Sequence, residues 1–142
     1  MHFPIALLVL GLGVQAAASA KRGPAWLGDA AAWLLWLGAA ASWVAIGLGW
    51  LAEKTAPHVP AAWQMLEDHS DAAWWAAGSA TLVAAWRYWL RRKGKTPGWG
   101  LVAAWAIAVA IVLRTAYLGG ELVFRYGMGQ LPEEAVQEPL HQ

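Results

Sequence analysis

Four long apolar runs, separated by short polar turns, set the organisation of the chain. The hydrocarbon core of a bilayer takes about 20 apolar residues as a helix. The runs extend from about Phe3 to Ala20, Ala30 to Ala52, Asp71 to Leu90 and Trp99 to Val123. Lys21-Arg22-Gly23-Pro24 ends the first, and Asp29 is expected to N-cap the second. Pro57 and Pro60 bracket the next turn, and Gly94, Pro97 and Gly98 mark the third. The spacing predicts an all-α, integral-membrane four-helix bundle over residues 1–129, followed by a polar tail over 130–142. The first run also imitates a signal peptide, because AAASA precedes Lys21 like a cleavage site. Met1 to Pro4 carry no Lys or Arg, so the run is read as a span with its N-terminus outside.

Composition reinforces the membrane reading. Of 142 residues, 59% are hydrophobic and 13% charged, against about 25% charged in a soluble domain. That deficit excludes a disordered chain, a charged scaffold and a basic nucleic-acid binder. Twelve tryptophans exceed what a core of this size needs, and Trp favours the membrane–water interface. Trp26, Trp36, Trp86, Trp89 and Trp99 are expected at one interface and Trp50, Trp63, Trp74 and Trp75 at the other, with Trp43 and Trp105 deep. Cysteine is absent, which removes disulfides, Cys-ligated zinc, iron–sulfur clusters and covalent c-type haem. Small residues recur within the spans (Gly11, Gly13, Ala39 to Ser42, Gly47, Gly49), and membrane helices pack closely through such positions.

Charge gives an orientation. Lys21, Arg22, Arg87, Arg91, Arg92, Lys93 and Lys95, seven of ten basic residues, fall at the first and third turns. Eight of nine acids (Glu53, Glu67, Asp68, Asp71, Glu121, Glu133, Glu134, Glu138) fall on the opposite side. The positive-inside rule makes the basic turns cytoplasmic. A multi-pass protein of a bacterial inner membrane, with both termini periplasmic, is the expectation.

The halves of the chain resemble one another. His2 opens an apolar run ending in Lys21-Arg22, and His69 opens another ending in Arg91-Arg92. The following run in each half closes on Ala52-Glu53 or Gly120-Glu121. The histidines are 67 residues apart and the glutamates 68. Two such hairpins form a bundle with a pseudo-two-fold axis along the membrane normal.

Candidate chemistry gathers on the acidic side, where all four histidines lie. His2 and His69 each begin an odd-numbered helix and are expected at equal height. Ala6, Val9 and Gly13 follow below His2 at helical spacing, and Ala73, Ala76 and Ala80 below His69. Two imidazoles above stripes of small residues suit a flat ligand such as haem b, held by one histidine from each hairpin. The plainer reading makes both histidines polar end residues, His69 belonging to the acidic first turn Glu67-Asp68-His69-Ser70-Asp71. Arg114 interrupts the fourth run deeply enough to need a partner: Glu121, Glu53, a haem propionate or the outer surface. His58, between Pro57 and Pro60, is expected to be solvent-exposed; the alternative is a metal site with His2, His69 and Glu53. His141 lies in the tail. Nucleotide-binding loops, a Ser/His/Asp arrangement and HExxH are absent.

His2-Phe3-Pro4-Ile5-Ala6-Leu7 and the segment Tyr117-Leu118-Gly119-Gly120-Glu121-Leu122-Val123-Phe124-Arg125-Tyr126-Gly127-Met128-Gly129 add a family resemblance. With the four spans and a histidine opening the third, the chain resembles the bacterial membrane family catalogued as domain of unknown function 2231. The resemblance extends to about Gly129. It implies a small four-helix membrane protein, in a family some of whose members are fused to or encoded beside Rieske or cytochrome c modules, and hence electron transfer. His2 and His69 match that family's helix-start histidines, whereas Tyr126 stands where many members have a third.

The expectation carried forward is a membrane redox subunit rather than a self-contained enzyme. One haem b is held by His2 and His69 near the periplasmic face, with Arg114 neutralising a propionate and Ala6, Gly13, Ala73 and Ala76 lining the cleft. Its partners are lipid, a quinol or larger respiratory complex, and a periplasmic redox protein. The rivals are a cofactor-free accessory subunit and a His/Glu metal-binding or transport protein.

Overall fold

The computed structural model describes residues 2–20, 24, 26–55 and 60–128. Four helices carry nearly all of them: α1 (Phe3–Ser19), α2 (Trp26–Thr55), α3 (Trp63–Arg92) and α4 (Trp99–Phe124), with a 3₁₀ turn at Pro60–Ala62. No strand occurs among the described residues. Each helix contains one of the expected apolar runs, and α2 and α3 overrun theirs.

The helix ends have local causes. Pro4 sits in the first turn of α1, where the missing N–H would have been unpaired anyway. Past the end of α3, Gly94 takes φ +63°, the left-handed region that glycine enters without strain. The Gly94 N–H then donates to Arg91 O at 3.1 Å and the Lys95 N–H to Leu90 O at 2.9 Å. This pair of bonds satisfies two of the last carbonyls of the helix. Asp29 is not the N-cap of α2, because the helix begins at Trp26 and places Asp29 inside the first turn. There it favours the helix dipole and meets Arg91 Nη1 at 3.5 Å.

Successive helices pack around a ring. α1 lies against α2 and α4, and α3 against α4 and α2, which leaves α1 and α3 on a diagonal. The core joins Leu8 of α1, Leu35 of α2, Ala80 and Val83 of α3, and Leu101, Trp105, Val109 and Val112 of α4. Glycines set the closest approaches. A Cβ on Gly11 would stand 2.6 Å from Cζ2 of Trp105 and 2.9 Å from Cβ of Leu34, and one on Gly38 would stand 2.8 Å from Cγ of Leu8. The helices meet backbone against side chain, as small-residue interfaces in membranes allow.

The outside of the ring is also apolar. Leu10, Leu37, Val44, Leu82, Ile107, Leu113 and Phe124 are all exposed. A soluble bundle would bury one stripe per helix and present charge on the rest. α2 and α4 are long and apolar enough to cross a membrane, whereas α1 is a shorter apolar helix. Trp43 and Trp105, both expected deep, separate: Trp105 is fully buried and Trp43 is exposed. The Trp43 indole N–H donates to Thr81 Oγ1 at 2.9 Å.

Unequal helix lengths shape the acidic end. α1 has 17 residues, α2 and α3 have 30 each and α4 has 26. Gly11 faces Leu34, and Leu7 faces Gly38, so the antiparallel register puts His2 opposite Trp43. From there α2 continues to Thr55, about three further turns or ~18 Å at 1.5 Å per residue. Among the described residues, α2 therefore extends past the start of α1.

Candidate functional site

His69 is the best-anchored candidate. It stands on α3 ahead of the apolar stretch that begins after Asp71, and its imidazole turns toward α4. Nδ1 lies 3.0 Å from the carbonyl oxygen of Thr115. A carbonyl only accepts, so Nδ1 carries the proton of this bond. Burial pulls the imidazole below its ordinary pKa, and the bond to Thr115 works in the opposite direction. In the neutral ring the lone pair then belongs to Nε2. Metal-ligating histidines commonly donate one ring N–H to a carbonyl in this way.

Gly119 makes room for that ring. A Cβ there would stand 3.0 Å from Cε1 and 3.4 Å from Nδ1 of His69. Thr115 and Gly119 lie one turn apart on α4 and hold the imidazole as rail and floor. The sequence reading missed both. The available signals were a hydroxyl beside Arg114 in an apolar helix and the paired glycines before Glu121. Gly119→Leu is expected to push the ring off the Thr115 carbonyl. The His69 ring signals in NMR spectra of the purified variant check this, and signals unchanged from the wild type would show that the imidazole does not depend on the contact.

The other expected residues are less closely gathered. His2 is exposed at the N-cap of α1 and makes no side-chain capping bond. By its α2 contacts His2 lies opposite Trp43, and His69 lies against Thr115 and Gly119 of α4. Ala6 and Gly13 are exposed, with open space around Gly13. Ala73 is half-buried, and Ala76 is packed into the core with Leu8 and Trp105. The α3 stripe is thus filled by the bundle, while the α1 stripe faces outward.

Arg114 is exposed beside Leu113 and Tyr117 on the outer face of α4. Glu121, one of its expected partners, instead meets Arg125 Nη1 at 3.5 Å. Glu53 borders a shallow groove at the acidic end with Trp63, Leu66, Glu67, Ser70 and Asp71. No group of three metal-ligating side chains occurs among the described residues. His58, His141 and the tail over 130–142 lie outside the described residues.

Comparison with curated proteins and with solved structures finds no match. The family described as Predicted membrane protein (DUF2231) matches residues 1–132. The match takes in all four helices and the motifs at both ends of the chain. An apolar exterior, helices of membrane-crossing length and this match agree: the chain belongs to the DUF2231 family of predicted membrane proteins.

Proposed function

We propose that the chain is a b-type cytochrome-like electron-transfer subunit of a bacterial inner membrane, binding one haem b toward its acidic end through His69 and His2. The observation that carries this reading is the His69 imidazole, fixed at Nδ1 by the Thr115 carbonyl at 3.0 Å with Nε2 left as the donor atom. The donor chemistry fits a haem, since neutral imidazoles suit iron and the chain has no cysteine. When bound, haem supplies a one-electron carrier whose potential depends on its axial ligands and their surroundings.

The chain's own residues supply the rest. His2, exposed at the start of α1, offers the second imidazole. Arg114 offers a cation for a propionate. Ala73 keeps the turn of α3 after His69 slender. Ala6 and Gly13 leave the face of α1 below His2 open to a flat ligand, and Ala76 holds α3 close to the bundle. The two hairpins descend, on this reading, from one duplicated unit with a pseudo-two-fold axis along the membrane normal. Electrons pass between a quinol or a larger respiratory complex and a periplasmic redox protein.

An absorption spectrum with a metal assay tests the proposal. A Soret band that sharpens on reduction, with one haem per chain, supports it. Colourless protein with stoichiometric copper or zinc points to the His/Glu metal reading, which needs His58. Colourless, metal-free protein points to the accessory-subunit reading. That second reading draws on the exposed His2–Ala6–Gly13 face, which would suit a neighbouring membrane helix.

The orientation is separately testable, because a chain without cysteine gives clean single-cysteine variants. With both termini periplasmic, Glu67→Cys is labelled by an impermeant maleimide in spheroplasts and Lys95→Cys only after the membrane is opened. The reverse pattern would overturn the orientation and leave the haem proposal standing.

A further inference from the structure

Three buried side-chain polar atoms lack a hydrogen-bond partner among the described residues: Gln15 Oε1, Arg87 Nε and Trp105 Nε1. All three side chains are at least nine-tenths buried, and all lie toward the basic end. Gln15 is one turn from the end of α1, Arg87 is near the end of α3 and Trp105 is in the second turn of α4. They belong to different helices, and their contacts with neighbouring residues set their levels along the bundle. The Cζ2 edge of Trp105 rests on Gly11, and Nε1 lies on that same edge of the indole. Gln15 is the next residue toward the basic end on that face of α1. The α1–α2 register puts Gln15 opposite Ala30, and Arg87 Nη2 donates to Gly28 O at 3.1 Å in the same turn of α2.

The chemistry of the three is complementary but incomplete. Trp105 Nε1–H and Arg87 Nε–H only donate, and Gln15 Oε1 only accepts. Gln15 cannot turn its amide group inward without leaving Ser19, to whose Oγ its Nε2 donates at 3.1 Å. A buried polar atom is normally paired, and buried water is the usual partner where protein supplies none. Water suits this layer because it accepts from an N–H and donates to a carbonyl at once. Leu101, Ala31, Leu35 and Ala84 belong to the same packed apolar core as Trp105, and water is the smallest guest that pairs with both donors and the acceptor.

We propose that the interior of the bundle near its basic end holds a bound-water site, bridging Trp105 Nε1–H to Gln15 Oε1 with Arg87 Nε–H at its edge. The site is independent of the haem reading, since none of its residues is a proposed haem ligand. It also accounts for a lone glutamine in the run Val14-Gln15-Ala16 and for a guanidinium drawn into the bundle.

Protein labelled with 15N-tryptophan, in micelles, tests this by water-selective NOE measurements on the indole N–H signals, with Trp105→Phe identifying the Trp105 signal. The wild type should show a cross-peak from that signal to water, surviving in Ser19→Ala, where the neighbouring hydroxyl is gone. Gln15→Met, which keeps the shape and removes the amide, should lose the cross-peak and shift the Trp105 signal upfield. A cross-peak to the Gln15 side chain in place of water, or no water cross-peak from a folded wild type, overturns the site. So does a Trp105 signal that keeps both position and cross-peak in Gln15→Met. If Gln15→Met does not fold, Arg87→Lys should shift the Trp105 signal, and an unmoved signal overturns the shared layer.

Discussion

Replacing His69 with alanine is expected to leave the purified protein without haem: no Soret band, and iron below stoichiometry in a folded, helical bundle. The size of the effect follows from what His69 supplies. It is the one histidine with a fixed orientation among the described residues, through the 3.0 Å contact of Nδ1 with Thr115 O. Alanine would remove the proposed ligand itself, so the loss should exceed the roughly 10–100-fold that follows from losing a supporting hydrogen bond. The bundle should survive, because His69 is only half-buried and lies outside the packed core of Leu8, Leu35, Trp105 and Val109. His2→Ala should also prevent haem retention, and His58→Ala should not. Full haem occupancy in His69→Ala protein would refute the ligand assignment.

The second large effect concerns packing. Gly11→Leu is expected to destabilise the bundle by about 3 kcal/mol, the upper end of the usual cost of overfilling a packed core. The first added carbon alone would stand 2.6 Å from Cζ2 of Trp105 and 2.9 Å from Cβ of Leu34. Neither neighbour gives way easily: Cβ of Leu34 moves only with its backbone, and Trp105 is fully buried between helices. Gly13→Leu supplies the control on the same helix. Nothing lies within 4 Å of a Cβ there, so its cost should stay within about 0.5 kcal/mol. Unfolding in mixed micelles, followed by far-ultraviolet circular dichroism, measures both. Equal stability of the two variants would mean that α1 does not approach α4 as closely as described.

The existence of the helices was legible in the sequence because apolar runs of this length have few alternatives. Their ends were not. α3 begins at Trp63, well before its apolar run, and carries Glu67-Asp68-His69-Ser70 as helix. Trp63 Nε1–H donates to Glu67 Oε1 at 2.8 Å, one turn on, which favours helix in a segment that composition marks as a polar turn. α2 likewise starts at Trp26, so Asp29 meets Arg91 instead of capping.

His69 was legible as a residue type at a helix start. Its rail on α4 was not, because Thr115 acts through its backbone, which sequence does not distinguish from any other. Gln15 was visible throughout as a single amide in an apolar run, and intramembrane polar residues have a purpose more often than not.

The shortness of α1 among the described residues has one further consequence. There α2 runs ~45 Å and α1 only ~26 Å, at 1.5 Å per residue. In a bilayer, lipid tails meeting the described part of α1 would tilt, or the leaflet would dip, to cover the exposed end of the helix. The bilayer would then be dented on the flank where His2 sits.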